Sequence, residues 1–214
     1  MLNPSFRLGV LSSKRWVASG ESRVGAASSP TRPRAATRSP LEALRERVPL
    51  ACVLDREPPR HGDRRAFDAE TAGVLRAFRV DAVLLLGYLY IITEPLLAAF
   101  PERILNIHDA DLTLRNPDGG PRYPGLHSTR DAIVAGERET RSSVHLVTPQ
   151  LDAGPVVALS EAFPVAPFVR EAVLLGEHDI VRAYAYAQRE WMMRSTWGTL
   201  AAEAVERLVM EAVA

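Results

Sequence analysis

The chain has 214 residues, 47% of them hydrophobic and 24% charged, which is the usage of an ordinary globular protein rather than a disordered one. Lys plus Arg and Asp plus Glu number 26 each, so the formal net charge is zero and a global basic footprint for nucleic acid is absent. No apolar run approaches the ~20 residues that span a bilayer, and the single cysteine, Cys52, excludes an internal disulfide and any Cys-rich zinc site. A reduced, cytoplasmic setting is expected.

Residues 1–45 read as an irregular N-terminal segment. Its bases are Arg7, Lys14, Arg15, Arg23, Arg32, Arg34 and Arg38, with Glu21 the one acid before residue 40. One island, Phe6-Arg-Leu-Gly-Val-Leu-Ser12, has the look of a first strand followed by a polar loop. The stretch 26–40 has neither helical nor strand period and is rich in proline, which removes donors and fixes φ, so a disordered insertion is expected there.

From residue 46 onward the chain alternates. Val48-Pro-Leu-Ala-Cys-Val-Leu54 has the length and composition of a buried strand. A helix is expected over 68–79, with Asp68 as N-cap and Thr71, Val74, Leu75 and Phe78 on one face. Ala82-Val-Leu-Leu-Leu-Gly87 is apolar throughout, as for a strand covered on both sides. A short helix starts near Pro95, and Arg103-Ile-Leu-Asn-Ile-His108 is the next strand. Ser128 to Ala135, closed by Gly136, reads as a helix. Ser143-Val-His-Leu-Val-Thr148 and Val156-Val-Ala-Leu159 read as strands. The tail from about 178 places Ile180, Tyr184, Gln188 and Trp191, then Leu200, Ala204 and Leu208, at helical spacing, and Trp191 and Leu200 are expected in the core. Strands alternating with helices predict an α/β fold with a mostly parallel central sheet, helices on both faces and a C-terminal helix.

The densest polar constellation is Asn106-Ile107-His108. On a strand, residues two apart share a face, so Asn106 and His108 project together. An amide and an imidazole so paired suit an oxygen on which negative charge develops. Asp152 stands in the turn Thr148-Pro-Gln-Leu-Asp-Ala-Gly-Pro155, where a carboxylate can orient a nearby imidazole and favour its charged form, or where Asp can bond its own backbone while Gly supplies positive φ. Tyr123-Pro-Gly-Leu-His127 reads as a connection, and His127 and His145 as packing or surface groups.

Taken in order, Leu84-Leu-Leu-Gly-Tyr-Leu89, Ile104-Leu-Asn-Ile-His108, Tyr123-Pro-Gly-Leu-His127, Ser143-Val-His-Leu-Val-Thr148 and Leu151-Asp-Ala-Gly-Pro155 resemble the folate-dependent formyltransferases, above all the glycinamide ribonucleotide branch. The resemblance covers roughly residues 80–165. It implies a Rossmann-like formyltransferase domain over 46–214, with Asn106, His108 and Asp152 at the family's catalytic Asn-x-His…Asp positions. It also implies a purine-pathway type of reaction with 10-formyltetrahydrofolate as formyl donor, a small-molecule amine as acceptor, no metal, and a monomer or homodimer. Leu89, Tyr90, Ile91, Ile92, Thr148 and Leu151 would border the folate.

Two departures bear on the acceptor. Leu8-Gly-Val-Leu-Ser-Ser-Lys-Arg-Trp16 stands where the family has a Gly/Ser/Asn-rich phosphate loop. Residues 12–16 lack the glycine that a nest of backbone donors favours, which predicts weak affinity for glycinamide ribonucleotide. The link 109–122 is longer and more acidic than the family's short Pro-rich one. Competing readings are a formyltetrahydrofolate hydrolase, a non-catalytic folate- or protein-binding relative, and a metal hydrolase using His108, Asp109 and Asp111. The metal reading has no second ligand cluster behind it.

Overall fold

The island at residues 8–12 is an interior strand, paired on both edges. In the computed structural model, which describes residues 6–13 and 39–211, the elements in chain order begin with β1 (Leu8–Ser12), α1 (Pro40–Arg45), β2 (Leu50–Asp55), α2 (Arg64–Ala77) and β3 (Ala82–Leu85). They continue with α3 (Glu94–Ala99), β4 (Ile104–His108), α4 (Ser128–Val134), β5 (Glu139–Thr140) and β6 (Ser143–Leu146). Last come β7 (Val156–Leu159), β8 (Phe163–Pro164), α5 (Pro167–Leu174) and α6 (His178–Glu211). Among the described residues no helix is long and apolar enough to cross a membrane.

Six strands form one sheet in the order β2-β1-β3-β4-β6-β7. The first four are parallel; β6 runs antiparallel to β4, and β7 antiparallel to β6. β5 and β8 make a separate two-stranded ladder. Alternate residues of each strand enter different cores. Leu8, Val10, Leu84, Leu105 and Ile107 pack with Leu44 of α1 and with Trp197, Leu200 and Val205 of α6. Leu11, Val83, Leu85 and Ile104 point the other way, to Leu75 of α2 and Leu96 of α3. Covering both faces is what makes these strands continuous apolar runs, and each leucine fully buried this way stabilises the fold by about 2 kcal/mol.

Three expectations need correction. Residues 39–45 are not irregular: Ser39 and Glu42 form a reciprocal capping box and Pro40 opens α1. Asp68 is not the cap of α2, which begins a full turn earlier, where the Asp63 side chain accepts from the Arg65 and Ala66 amides. Asp68 is instead buried and accepts from the backbone and hydroxyl of Thr93. Trp191 is 48% exposed and packs edge-on against Phe163, whereas Trp197, six residues on and about a third of a turn around the helix, is the buried tryptophan. Leu200 is in the core as expected. The stretch of the insertion up to residue 38, and the cations Lys14 and Arg15, lie outside the described residues.

Candidate active site

The middle of the sheet carries a polar row. Leu85, Asn106 and His145 are in register across β3, β4 and β6, and so share one face; His108 lies two residues further along β4 on that same face. Helices α2 and α3 cover the β1–β3 part of this face, and over β4 and β6 it opens into a cleft of about 490 Å³. The segment Gly87–Ile92 after β3 forms one wall and Val147–Asp152 after β6 another; Tyr186, Arg189 and Trp197 of α6 complete the lining. All the residues expected around a folate, Leu89, Tyr90, Ile91, Ile92, Thr148 and Leu151, border this cleft together with Asn106, His108 and Asp152. These residues meet on the open face of the sheet.

Asp152 reaches this place through an unusual turn. Its own φ is 51°, so the left-handed residue is the aspartate, a type that tolerates it better than most. Gly154 serves a different need from the one its position suggests: a Cβ there would lie 1.8 Å from the Leu146 carbonyl oxygen. The Asp152 carboxylate is not used on its own turn. Oδ2 accepts from the Gly125 amide at 2.8 Å and stands 3.6 Å from His108 Nδ1, while Oδ1 stands 3.6 Å from His145 Nε2.

The connection Tyr123-Pro-Gly125 touches both partners of that pair. The Tyr123 carbonyl accepts from His108 Nε2 at 2.9 Å, and Gly125 donates to Asp152. A carbonyl only accepts, so His108 carries a proton on Nε2 and turns Nδ1 toward the carboxylate. The Tyr123 hydroxyl donates to Glu137 at 2.8 Å, which anchors this connection from behind. Burial, aided by the bond to Glu137 and its negative charge, pushes the Tyr123 phenol up to about 12, against the pull of Arg122.

His145 is the functional-site residue that sequence reasoning missed. It is 2% exposed, its Nδ1 donates to the Leu146 carbonyl at 2.9 Å, and its Nε2 therefore accepts from Asn106 Nδ2 at 3.1 Å. That bond fixes the plane of the Asn106 amide. The signal in the sequence is the two-residue spacing of Ser143 and His145, whose meaning depends on the pairing of β6 with β4. Burial raises the Asp152 carboxyl, but His145, the charge of His108 and the Gly125 amide outweigh it, and the group lies below its ordinary value.

Asp109 and Asp111 diverge from His108. Asp109 Oδ2 accepts from Arg189 Nε at 2.5 Å, and Asp111 faces Thr113 and Arg141. Among the described residues no group of three or more His, Cys, Asp and Glu is arranged to hold a metal ion.

A six-stranded, mostly parallel sheet thus carries an Asn-x-His strand and an Asp-bearing turn that meet over it. Residues 16–172 match the formyl transferase family, and the chain belongs to it. Phosphoribosylglycinamide formyltransferase of Escherichia coli (strain K12) is 37% identical over 94 residues, covering 44% of this chain and 41% of that protein. The chain thus spans less than half the length of that relative. Glycinamide ribonucleotide transformylase 1 from Symbiobacterium toebii is 30% identical with a TM-score of 0.52, over 88% of this chain and 86% of that one. A formyltetrahydrofolate deformylase from Pseudomonas syringae pv. tomato str. DC3000 shares the fold, with a TM-score of 0.63 at 18% identity over 96% of this chain and 62% of that one.

Proposed function

We propose that the protein transfers the formyl group of 10-formyltetrahydrofolate to a small-molecule amine, with Asn106, His108 and Asp152 as its catalytic residues. The observation that carries this reading is the junction of Asn106, His108, His145 and Asp152 at the inner wall of one cleft whose remaining walls suit a flat, partly apolar donor. The amine nitrogen attacks the formyl carbon, and the C–N bond forms as the carbonyl π pair moves onto oxygen. The Asn106 amide and a His108 ring protonated on both nitrogens stabilise that oxyanion. Asp152 keeps the ring oriented and takes part in moving the amine proton toward N10 of the folate. The C–N10 bond then breaks, releasing tetrahydrofolate and the formylated amine. His145 acts through Asn106, as a positioning residue.

Among acceptors, glycinamide ribonucleotide is the one the relatives' names point to. The glycine-poor loop after β1 argues for a weaker hold on its phosphate than on the folate. The test is to supply 10-formyltetrahydrofolate with and without a panel of amines and follow tetrahydrofolate release. Release that requires an amine supports transfer. Release without one identifies a hydrolase, and no release under any condition identifies a binding relative. Asn106→Ala should lower kcat by about 10²–10³-fold, the cost of one oxyanion donor.

A further inference from the structure

Pairing between β1 and β3 ends where the Leu86 amide meets the Leu11 carbonyl. The chain of β3 then turns at Gly87, with φ of 68°, into the wall Gly87–Ile92 of the cleft. Ser13, 3% exposed, continues the contact by side chain: its Oγ donates to the Gly87 carbonyl at 3.1 Å and accepts from the Leu89 amide at 3.0 Å. The far end of the same wall is held by α2, where Arg64 donates to the Ile91 carbonyl at 2.6 Å and Asp68 accepts from the Thr93 amide at 2.6 Å.

We infer that Ser13 is a positioning residue for the formyl-donor site, fixing the near end of the Gly87–Ile92 wall in its binding conformation. A serine hydroxyl has one proton, and here it is committed to Gly87, so Ser13 has no donor to offer an anionic acceptor. This side chain of the expected phosphate loop therefore serves the other substrate. Its two bonds span residues that are 74 and 76 positions apart in the chain, so they join separately folded segments rather than stiffening one turn. A wall held at both ends loses less conformational freedom when the donor binds. The inference depends on the formyl-transfer reading only for naming a folate as the occupant.

The test pairs amide exchange with ligand binding. In the unmutated protein the Leu89 amide should exchange slowly, since it is bonded and shielded. In Ser13→Ala, exchange across 87–92 should rise, and the Kd of a 5,8-dideazafolate analogue should weaken on the order of tenfold, equivalent to one lost hydrogen bond. The KM for the amine and kcat at saturating donor should stay as they were. A fast Leu89 amide in the unmutated protein overturns the inference. So does a variant with lower thermal stability but unchanged exchange across 87–92 and unchanged Kd. If the unmutated protein binds no folate analogue, the formyl-transfer reading fails, and the exchange comparison still decides the role of Ser13.

Discussion

Asp152 joins a left-handed backbone to a carboxylate that answers to two histidines, and each property has a measurable consequence. Asn is the replacement that keeps both shape and backbone tolerance. Asp152→Asn should therefore fold, yet lose about 10²–10⁴-fold in kcat as its charge and proton transfer disappear. Because the folded carboxyl titrates below its unfolded value of 3.8, it contributes stability that is complete above that value. The contribution is lost as pH falls through the lower folded value. Urea unfolding across the acid range should show a steeper decline for the unmutated protein than for Asp152→Asn.

Tyr123 has the opposite sign. Its neutral form is favoured up to about 12, so the stability it gives is full below the ordinary phenol range and is lost as pH rises through about 12. An alkaline titration of phenolate absorbance should lose its last-titrating component in Tyr123→Phe. That variant should also lower kcat more than it weakens donor binding, because the Tyr123 carbonyl holds His108. The proposed roles of Asn106 and His108 were legible from spacing on a strand. The partnership of His145 with Asn106 was not, since it depends on a register set by residues 39 positions apart.

At the level of elements, two glycines decide how closely segments approach. A Cβ at Gly198 would come 2.5 Å from Ala43 Cβ and 2.6 Å from the Pro40 carbonyl oxygen, so α6 and α1 meet nearly backbone to backbone there. Gly198→Ala gains about 1 kcal/mol of helix propensity and loses about 1–3 kcal/mol to overpacking. Its urea midpoint should fall, with activity per folded molecule retained. Gly154→Ala should behave differently, since the obstruction is a backbone oxygen of β6 and the turn bearing Asp152 must shift to clear it. A fall in kcat larger than the fall in folded fraction is the expected result.

The elements also show where local sequence speaks. The run Ser39-Pro-Leu-Glu42 carries its own helix start, independent of distant contacts, and was legible in principle beneath the proline-rich composition around it. Helix α2 was found by its apolar face but not by its first turn, where Arg56 and Arg64 cover the Phe67 ring from the polar side. Helical spacing located Leu200 and Ala204 correctly because β-strand side chains pack against them. The same spacing misplaced Trp191, which meets the small β5–β8 ladder that no periodicity announces.

For the molecule as a whole, the alternation of apolar strands and helices was enough to give the mostly parallel sheet. Strand order was not, because it is decided by which segments bury each other rather than by any one of them. The reversal of β6 and β7, which sets His145 beside Asn106, belongs to this second kind of information. The position of β1 between β2 and β3 makes the N-terminal island indispensable: deleting residues 1–13 should leave a chain without cooperative unfolding or a native near-ultraviolet dichroism spectrum. Retained cooperative unfolding would show that β2 and β3 can close the gap.

That interior place for an early strand also sets a timetable during synthesis. Leu8 leaves the ribosome long before Leu50 and Ala82, the residues that lie beside it in the finished sheet. At ~5–20 residues per second, roughly 4–15 s separate β1 from β3. Until β2 emerges the apolar strand has neither flank covered, and until β3 follows one edge stays open to pairing with other nascent chains. Slower translation over residues 13–82 would lengthen the exposure and lower soluble yield, whereas chaperones that hold short apolar segments would offset it, even though neither alters the stability of the finished protein.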